Sequence, residues 1–401
     1  MKLLILSTKL PYPTKDGGAI ATMNLATGLA RTGVNVTILS LNTKKHYFPP
    51  EKIPESLKKL INFRTVYHNT SIRPLKAFRN LLFSRKPYIA ERFYSRKFSL
   101  QLRNLLSSEN YSFVQMEGPY FSEYIPVIRE TSAAIVSLRA HNVEHEIWER
   151  RWRTEKNLVT RSYLKNLAKR IRKLEAKIIG DVDLLISISE KDRKGLLSLS
   201  ESESIQSITI PTGLDLSQYI AGLPLYDNAI CFIGALDWTP NQEGIRWMIK
   251  MVLPHLIRQN NQIAFHIAGR NASPGFKREL HHTNIVFHGE TEDAKAFMSN
   301  YKVMVVPLLT GSGIRIKILE GMAMGLCVVT TTIGAEGIPV EKEKQLLIED
   351  HPKLFAQKIR MILDNQQMAE NISIEARRVI EEKFDTFAIA SDLKNIYKKM
   401  I

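Results

Sequence analysis

The chain has 401 residues, 44% of them apolar and 24% charged, a globular composition long enough for two cores of roughly 200 residues each rather than one. Its two cysteines, Cys231 and Cys327, both lie in apolar runs, which excludes a disulfide framework or a cysteine-held metal. No apolar run approaches the roughly 20 residues of a membrane span.

The opening run Met1-Lys2-Leu3-Leu4-Ile5-Leu6-Ser7 lacks a small-residue cleavage site and leads into a glycine turn. It reads as a first buried strand rather than a leader, and the protein as cytoplasmic. Apolar runs at 2–7, 35–40, 112–116, 134–138 and 184–187 predict strands, with helical patterns between them. The first helix is expected over 18–32, its N-terminus receiving Asp16-Gly17-Gly18. That tripeptide is either an ordinary turn or a place where a phosphate meets bare backbone. Residues 210–226, with Pro211, Gly213, Gly222 and Pro224, form the expected linker. Strand patterns resume at 230–233, 264–268, 285–287, 304–306 and 327–330, and residues 354–401 are helical in pattern. The alternation predicts an α/β protein with doubly wound sheets.

The stretch Val306 to Thr330 carries the most chemistry. An apolar run ends at Gly311-Ser312-Gly313, and a helix follows with Arg315 and Lys317 in its first turns and Glu320 after Leu319. The macrodipole disfavours cations at a helix start unless an anion binds there, and backbone amides around Ser312 to Ile314 suit such an anion. Solvated charges on a plain turn are the alternative. Open α/β sheets present ligand-binding residues beyond strand ends. Glu117, His141 and Gly269-Arg270 all follow predicted strands, although His141 also fits a loop-capping role. His281-His282 point apart, and Asp181 and Asp183 have no further acids beside them, so no metal is expected.

The run Leu319-Glu320-Gly321-Met322-Ala323-Met324-Gly325, followed by Val328-Val329-Thr330, resembles retaining glycosyltransferases of family 4. Asp16-Gly17-Gly18, His141-Asn142-Val143-Glu144, Ile210-Pro211-Thr212-Gly213-Leu214-Asp215 and Gly234-Ala235-Leu236-Asp237-Trp238 extend the resemblance along the chain. It implies the GT-B fold: two Rossmann-like doubly wound domains facing across a cleft, with an acceptor-side domain at 1–210 and a nucleotide-sugar domain at 211–375. Residues 376–401 are then expected to form a C-terminal helix that returns to the first domain. The resemblance assigns Glu320 to the ribose hydroxyls and His141 to the transferred sugar. Arg315 and Lys317 fall to the diphosphate, joined by backbone at Gly311, Ser312, Gly313 and Ile314 and, from the first domain, at Gly17 and Gly18. Arg270 is a candidate for nucleotide or phosphate contact and Glu117 for acceptor contact.

Two positions depart from the family pattern. Ser312 stands where a first glutamate is usual, eight residues before Glu320. The segment Gly234 to Gly244 lacks the arginine and lysine that usually follow the first donor-domain strand. Arg315 and Lys317 are expected to supply that missing charge. The nucleotide sugar is a substrate, no cofactor or metal is expected, and the acceptor is a glycan, a lipid-linked saccharide or a small-molecule hydroxyl. A nucleotide-sugar epimerase of the same fold and a non-catalytic polyanion-binding module are the alternatives.

The net charge of +16 is lopsided. Residues 1–200 carry 35 Lys/Arg against 17 Asp/Glu, and residues 201–401 carry 21 against 23. Between Arg64 and Arg103 ten basic residues accompany a single acid, Glu91, with aromatics interleaved. This stretch is either a solvated face over core aromatics or a contact for an anionic membrane surface; nucleic acid fits it less well.

Overall fold

The structure, a computed structural model, describes residues 1–200, 205–222, 224–311 and 313–401. The chain forms two units, Met1–Gly213 with Thr386–Ile401, and Leu214–Asp385.

Seven strands build the sheet of the first unit: β1 (Lys2–Ser7), β2 (Asn35–Thr43), β3 (Ile61–His68), β4 (Phe113–Glu117), β5 (Ile135–Ala140), β6 (Leu184–Ser187) and β7 (Gln206–Thr209). Their order is β3-β2-β1-β4-β5-β6-β7, and every pairing is parallel. The central strands are buried on both faces, as continuous apolar runs in a helix-covered parallel sheet must be. The sequence reading lacks β3 and β7. Both are edge strands of mixed exposure, and an edge is kept polar to discourage further pairing, so neither has an apolar run.

Asp16 caps the helix Gly17–Arg31 by accepting the Ala19 amide at 3.0 Å. This helix lies against Thr386–Met400 at Gly28, where an added Cβ would sit 2.8 Å from Ala390 Cβ and 2.9 Å from Thr386 O. The last helix therefore starts at Thr386, ten residues beyond the expected segment boundary. Residues before it continue the helix Gln366–Lys383 of the second unit. Asn24 donates to Gly213 O at 2.8 Å, which keeps residues 211–213 with the first unit.

In the second unit β8 (Tyr226–Ile233), β9 (Ala264–Ala268), β10 (Ile285–Gly289), β11 (Tyr301–Val306), β12 (Cys327–Thr330) and β13 (Leu347–Ile348) form a parallel sheet ordered β10-β9-β8-β11-β12-β13. Strand order reverses between β1 and β4 in one unit and between β8 and β11 in the other. At such switch points the loops diverge and leave a crevice at the strand ends. Cys231 and Cys327 are free and buried in β8 and β12. No helix among the described residues is long and apolar enough to cross a membrane.

Candidate functional site

The switch point of the second unit gathers the charged residues singled out above. Beyond β11 the chain turns through Gly311 and Gly313, with φ of 120° and 77°, values that L side chains rarely adopt. Arg315 follows as the N-cap residue of the helix Ile316–Ala323. It is only 6% exposed, and its Nη1 donates to Gly313 O at 2.7 Å, so the guanidinium braces the loop. Ser312 lies outside the described residues. Ile314 is half-buried in the same loop.

Lys317 reaches across to β8. Its Nζ donates to Asn241 Oδ1 at 2.9 Å and stands 4.3 Å from the centre of the Phe232 ring. Asn241 in turn donates to Ala235 O at 2.7 Å. A Cβ on Gly234 would fall 2.5 Å from Lys317 Nζ, so glycine at the end of β8 makes room for the ammonium. Burial, joined by the Arg315 charge and opposed by Glu320, lowers the Lys317 pKa to about 7. Two cations gathered at one helix start, one of them with its pKa lowered by burial, are the electrostatic signature of an anion site.

Glu320, one turn further on, accepts a hydrogen bond from Tyr219 Oη at 3.0 Å. Burial raises its carboxyl, against the lowering effects of Tyr219, Lys295 and Lys317. Lys295 Nζ sits 4.5 Å from the Tyr219 ring centre and donates to Gln218 at 2.8 Å. Arg270 is half-buried past β9, and its carbonyl accepts the Leu236 amide at 2.8 Å, which ties the ends of β8 and β9.

In the first unit the ends of β4 and β5 hold a buried network. Glu117 Oε2 accepts Thr22 Oγ1 at 2.9 Å and Arg139 Nη1 at 3.2 Å, and lies 2.6 Å from His141 Nε2. Its other oxygen accepts Gln115 Nε2 at 2.5 Å, and Gln115 accepts Tyr397 Oη at 2.7 Å from the last helix. Burial alone would raise the Glu117 carboxyl, but Arg139, His141 and the hydrogen bonds outweigh it and hold the pKa at about 2. His141 therefore stands on a fixed carboxylate. Three residues on, burial raises the Glu144 carboxyl to about 7 although Tyr120 donates to it at 2.8 Å. Gly17 and Gly18 are exposed in the first helical turn, behind Asp16 and its Lys9 partner at 2.5 Å.

The structure thus brings Arg315, Lys317 and Glu320 together in one unit, with Glu117 and His141 paired in the other. Tyr219, Asn241 and Arg139 escaped the sequence reading. Tyr219 lies in the linker, Asn241 in a segment noted only for its missing cations, and Arg139 one residue beyond the strand expected over 134–138, which in the structure continues to Ala140. Among the described residues no three His, Cys, Asp or Glu side chains gather to hold a metal ion.

Residues 227–365 match the family described as Glycosyl transferases group 1, a span that begins one residue into β8 and includes β9 to β13, Lys317 and Glu320. A relative from Klebsiella pneumoniae, described as an uncharacterized 44.6 kDa protein in the cps region, is 25% identical over 411 residues, covering 98% of both chains. Among solved structures, sucrose-phosphate synthase from Thermosynechococcus elongatus superposes with a TM-score of 0.73 at 18% identity, covering 100% of this chain and 99% of that one. TarM from S. aureus superposes at 0.71 with 14% identity, covering 99% and 98%. Anabaena HepE, solved in complex with UDP-glucose, superposes at 0.67 with 12% identity and full coverage of both chains. The fold is GT-B, and with the family match it supports a group 1 glycosyltransferase.

Proposed function

We propose that the chain is a retaining, metal-independent glycosyltransferase that moves a sugar from a nucleoside-diphosphate sugar to the hydroxyl of a glycan, a lipid-linked saccharide or a small molecule. The observation that carries this reading is the enclosed pair Arg315 and Lys317 at a helix start, with Glu320 one turn on, at the switch point of the unit that matches the family. As the glycosidic bond breaks, charge builds on the leaving diphosphate. Fixed cations and amides stabilise that charge more in the transition state than in the ground state. Glu320, held by Tyr219, accepts two ribose hydroxyls. The diphosphate itself takes the proton of the incoming hydroxyl, which is consistent with attack on the face it leaves. The first unit receives the acceptor, with His141 positioned by Glu117 and Gly17 and Gly18 offering bare backbone.

A thermal-shift screen across UDP-, GDP-, ADP- and CDP-sugars should give a rise in Tm with one nucleotide class, because a donor bound only by the folded state stabilises it. Glu320→Gln should weaken binding of the matching nucleoside diphosphate by about tenfold or more in calorimetry, the scale of losing charge-assisted hydrogen bonds. No shift with any donor overturns the reading. An unchanged affinity in folded Glu320→Gln removes the ribose role.

Lys317 also makes binding depend on pH. With its pKa at about 7 in the empty site, the ammonium is partly discharged above neutrality, and a bound diphosphate raises that pKa. Binding then takes up a proton, and affinity falls by up to about tenfold per pH unit above pH 7 until the bound pKa is passed. The empty protein shows the opposite sign. Its unfolded state holds the proton that Lys317 lacks, so this residue becomes less unfavourable to folding as pH rises from about 7 toward 10.5. Titrations at pH 8 in buffers of different ionisation enthalpy should reveal the proton uptake, and Lys317→Met should abolish it. An affinity that is flat between pH 6.5 and 9 would contradict the assignment.

A further inference from the structure

The helix Pro74–Phe83 is oriented against its own pattern. Leu75, Phe78 and Leu82 recur at the spacing of one helical face, the stripe that ordinarily seeks the core. They are instead 87%, 62% and 57% exposed, with Ile72 and Phe83 exposed beside them. The inward face is Ala77, Asn80 and Leu81. It is fixed by polar contacts: Arg170 Nη2 donates to Leu81 O at 2.8 Å and Nη1 to Asn80 Oδ1 at 3.1 Å, while Asn80 donates to Glu91 at 2.6 Å. The helix is therefore pinned from behind by hydrogen bonds, with its apolar stripe turned to solvent.

The charge around that stripe has one sign. Arg73, Lys76, Arg79 and Arg85 are exposed, and none of them forms an ion pair with a described residue. The one acid between Arg64 and Arg103, Glu91, is taken up by Asn80. An apolar ridge rimmed by unneutralised cations matches the interfacial layer of a bilayer, where side chains enter the acyl boundary and cations meet headgroup phosphates. A second copy of the chain fits poorly, since pairing the ridges would bring Lys76 and Arg79 against their own counterparts.

We infer that the helix Pro74–Phe83 is a membrane-insertion element that docks the first unit on an anionic lipid surface through Leu75, Phe78 and Leu82. The inference does not depend on the glycosyl-transfer reading, since the helix belongs to a different unit from Arg315, Lys317 and Glu320.

The test is cosedimentation of the full chain with vesicles of phosphatidylglycerol and phosphatidylcholine, or of phosphatidylcholine alone. Binding is expected to the anionic vesicles at low salt, with release at high salt. Leu75→Ser, Phe78→Ser and Leu82→Ser combined should weaken binding by about tenfold or more although every cation remains. Lys76→Gln, Arg79→Gln and Arg85→Gln combined should remove the preference for anionic lipid. All these positions face solvent, so the variants should keep wild-type melting and any donor-induced shift. Four results overturn the inference: wild-type protein left in the supernatant at low salt, serine and wild-type proteins sedimenting alike, a dimer in light scattering that the serine variant dissolves, or binding to duplex DNA that matches binding to vesicles.

Discussion

Arg315→Ala combined with Lys317→Ala should reduce kcat/KM for transfer from a nucleotide sugar by at least about 10²-fold, the loss associated with removing preorganised donors from a developing anion. The reason is spatial. Arg315 supports the loop at Gly313, and Lys317 is held against Asn241 and Phe232 beside Gly234. Both cations are fixed before substrate arrives and need little reorganisation as charge builds. Lys317→Arg should not rescue activity, because the space left by Gly234 suits a compact ammonium and not a planar fork. Single-turnover rates together with donor affinity separate a lost transition-state contact from a lost binding contact. A double variant with near-wild-type kcat/KM would refute the diphosphate assignment.

The largest stability effect is expected in the first unit. Arg139 is fully buried, and its one ion pair among the described residues is with Glu117. Glu117→Ala strands that guanidinium in the interior, and removing one partner of such a pair costs about 3–5 kcal/mol. Urea unfolding should show a lower midpoint with an unchanged slope. Glu117→Gln paired with Arg139→Met removes both charges, so the double variant should lose less than the sum of its single variants. Acid should act in the same direction. The Glu117 carboxyl lies near 2 when folded and at 4.5 as its reference, so its stabilisation is complete above about pH 4.5 and is lost as pH falls toward 2. Additive single-variant costs would show that the pair is not coupled. His141→Ala should cost less than Glu117→Ala, since His141 is partly accessible and Arg139 keeps its counter-charge.

The glycine loop, its two cations and Glu320 are all visible within fifteen residues of sequence because one turn and one helix position them locally. Strand centres such as 2–7, 184–187, 264–268 and 327–330 are equally legible, since a strand covered on both faces must be apolar throughout. The tertiary structure alone decided what surrounds these groups. Tyr219 meets Glu320 across 101 residues, Asn241 meets Lys317 across 76, and Tyr397 meets Gln115 across 282, pairings that no local pattern encodes. Edge strands β3 and β7 are defined by the neighbour they pair with rather than by their own hydropathy. The helix Pro74–Phe83 is the clearest case: its periodicity marks an apolar stripe, but Arg170 and Asn80 determine that the stripe faces outward. Periodicity says that a face differs from the others, and only the elements packed against it decide which face is covered.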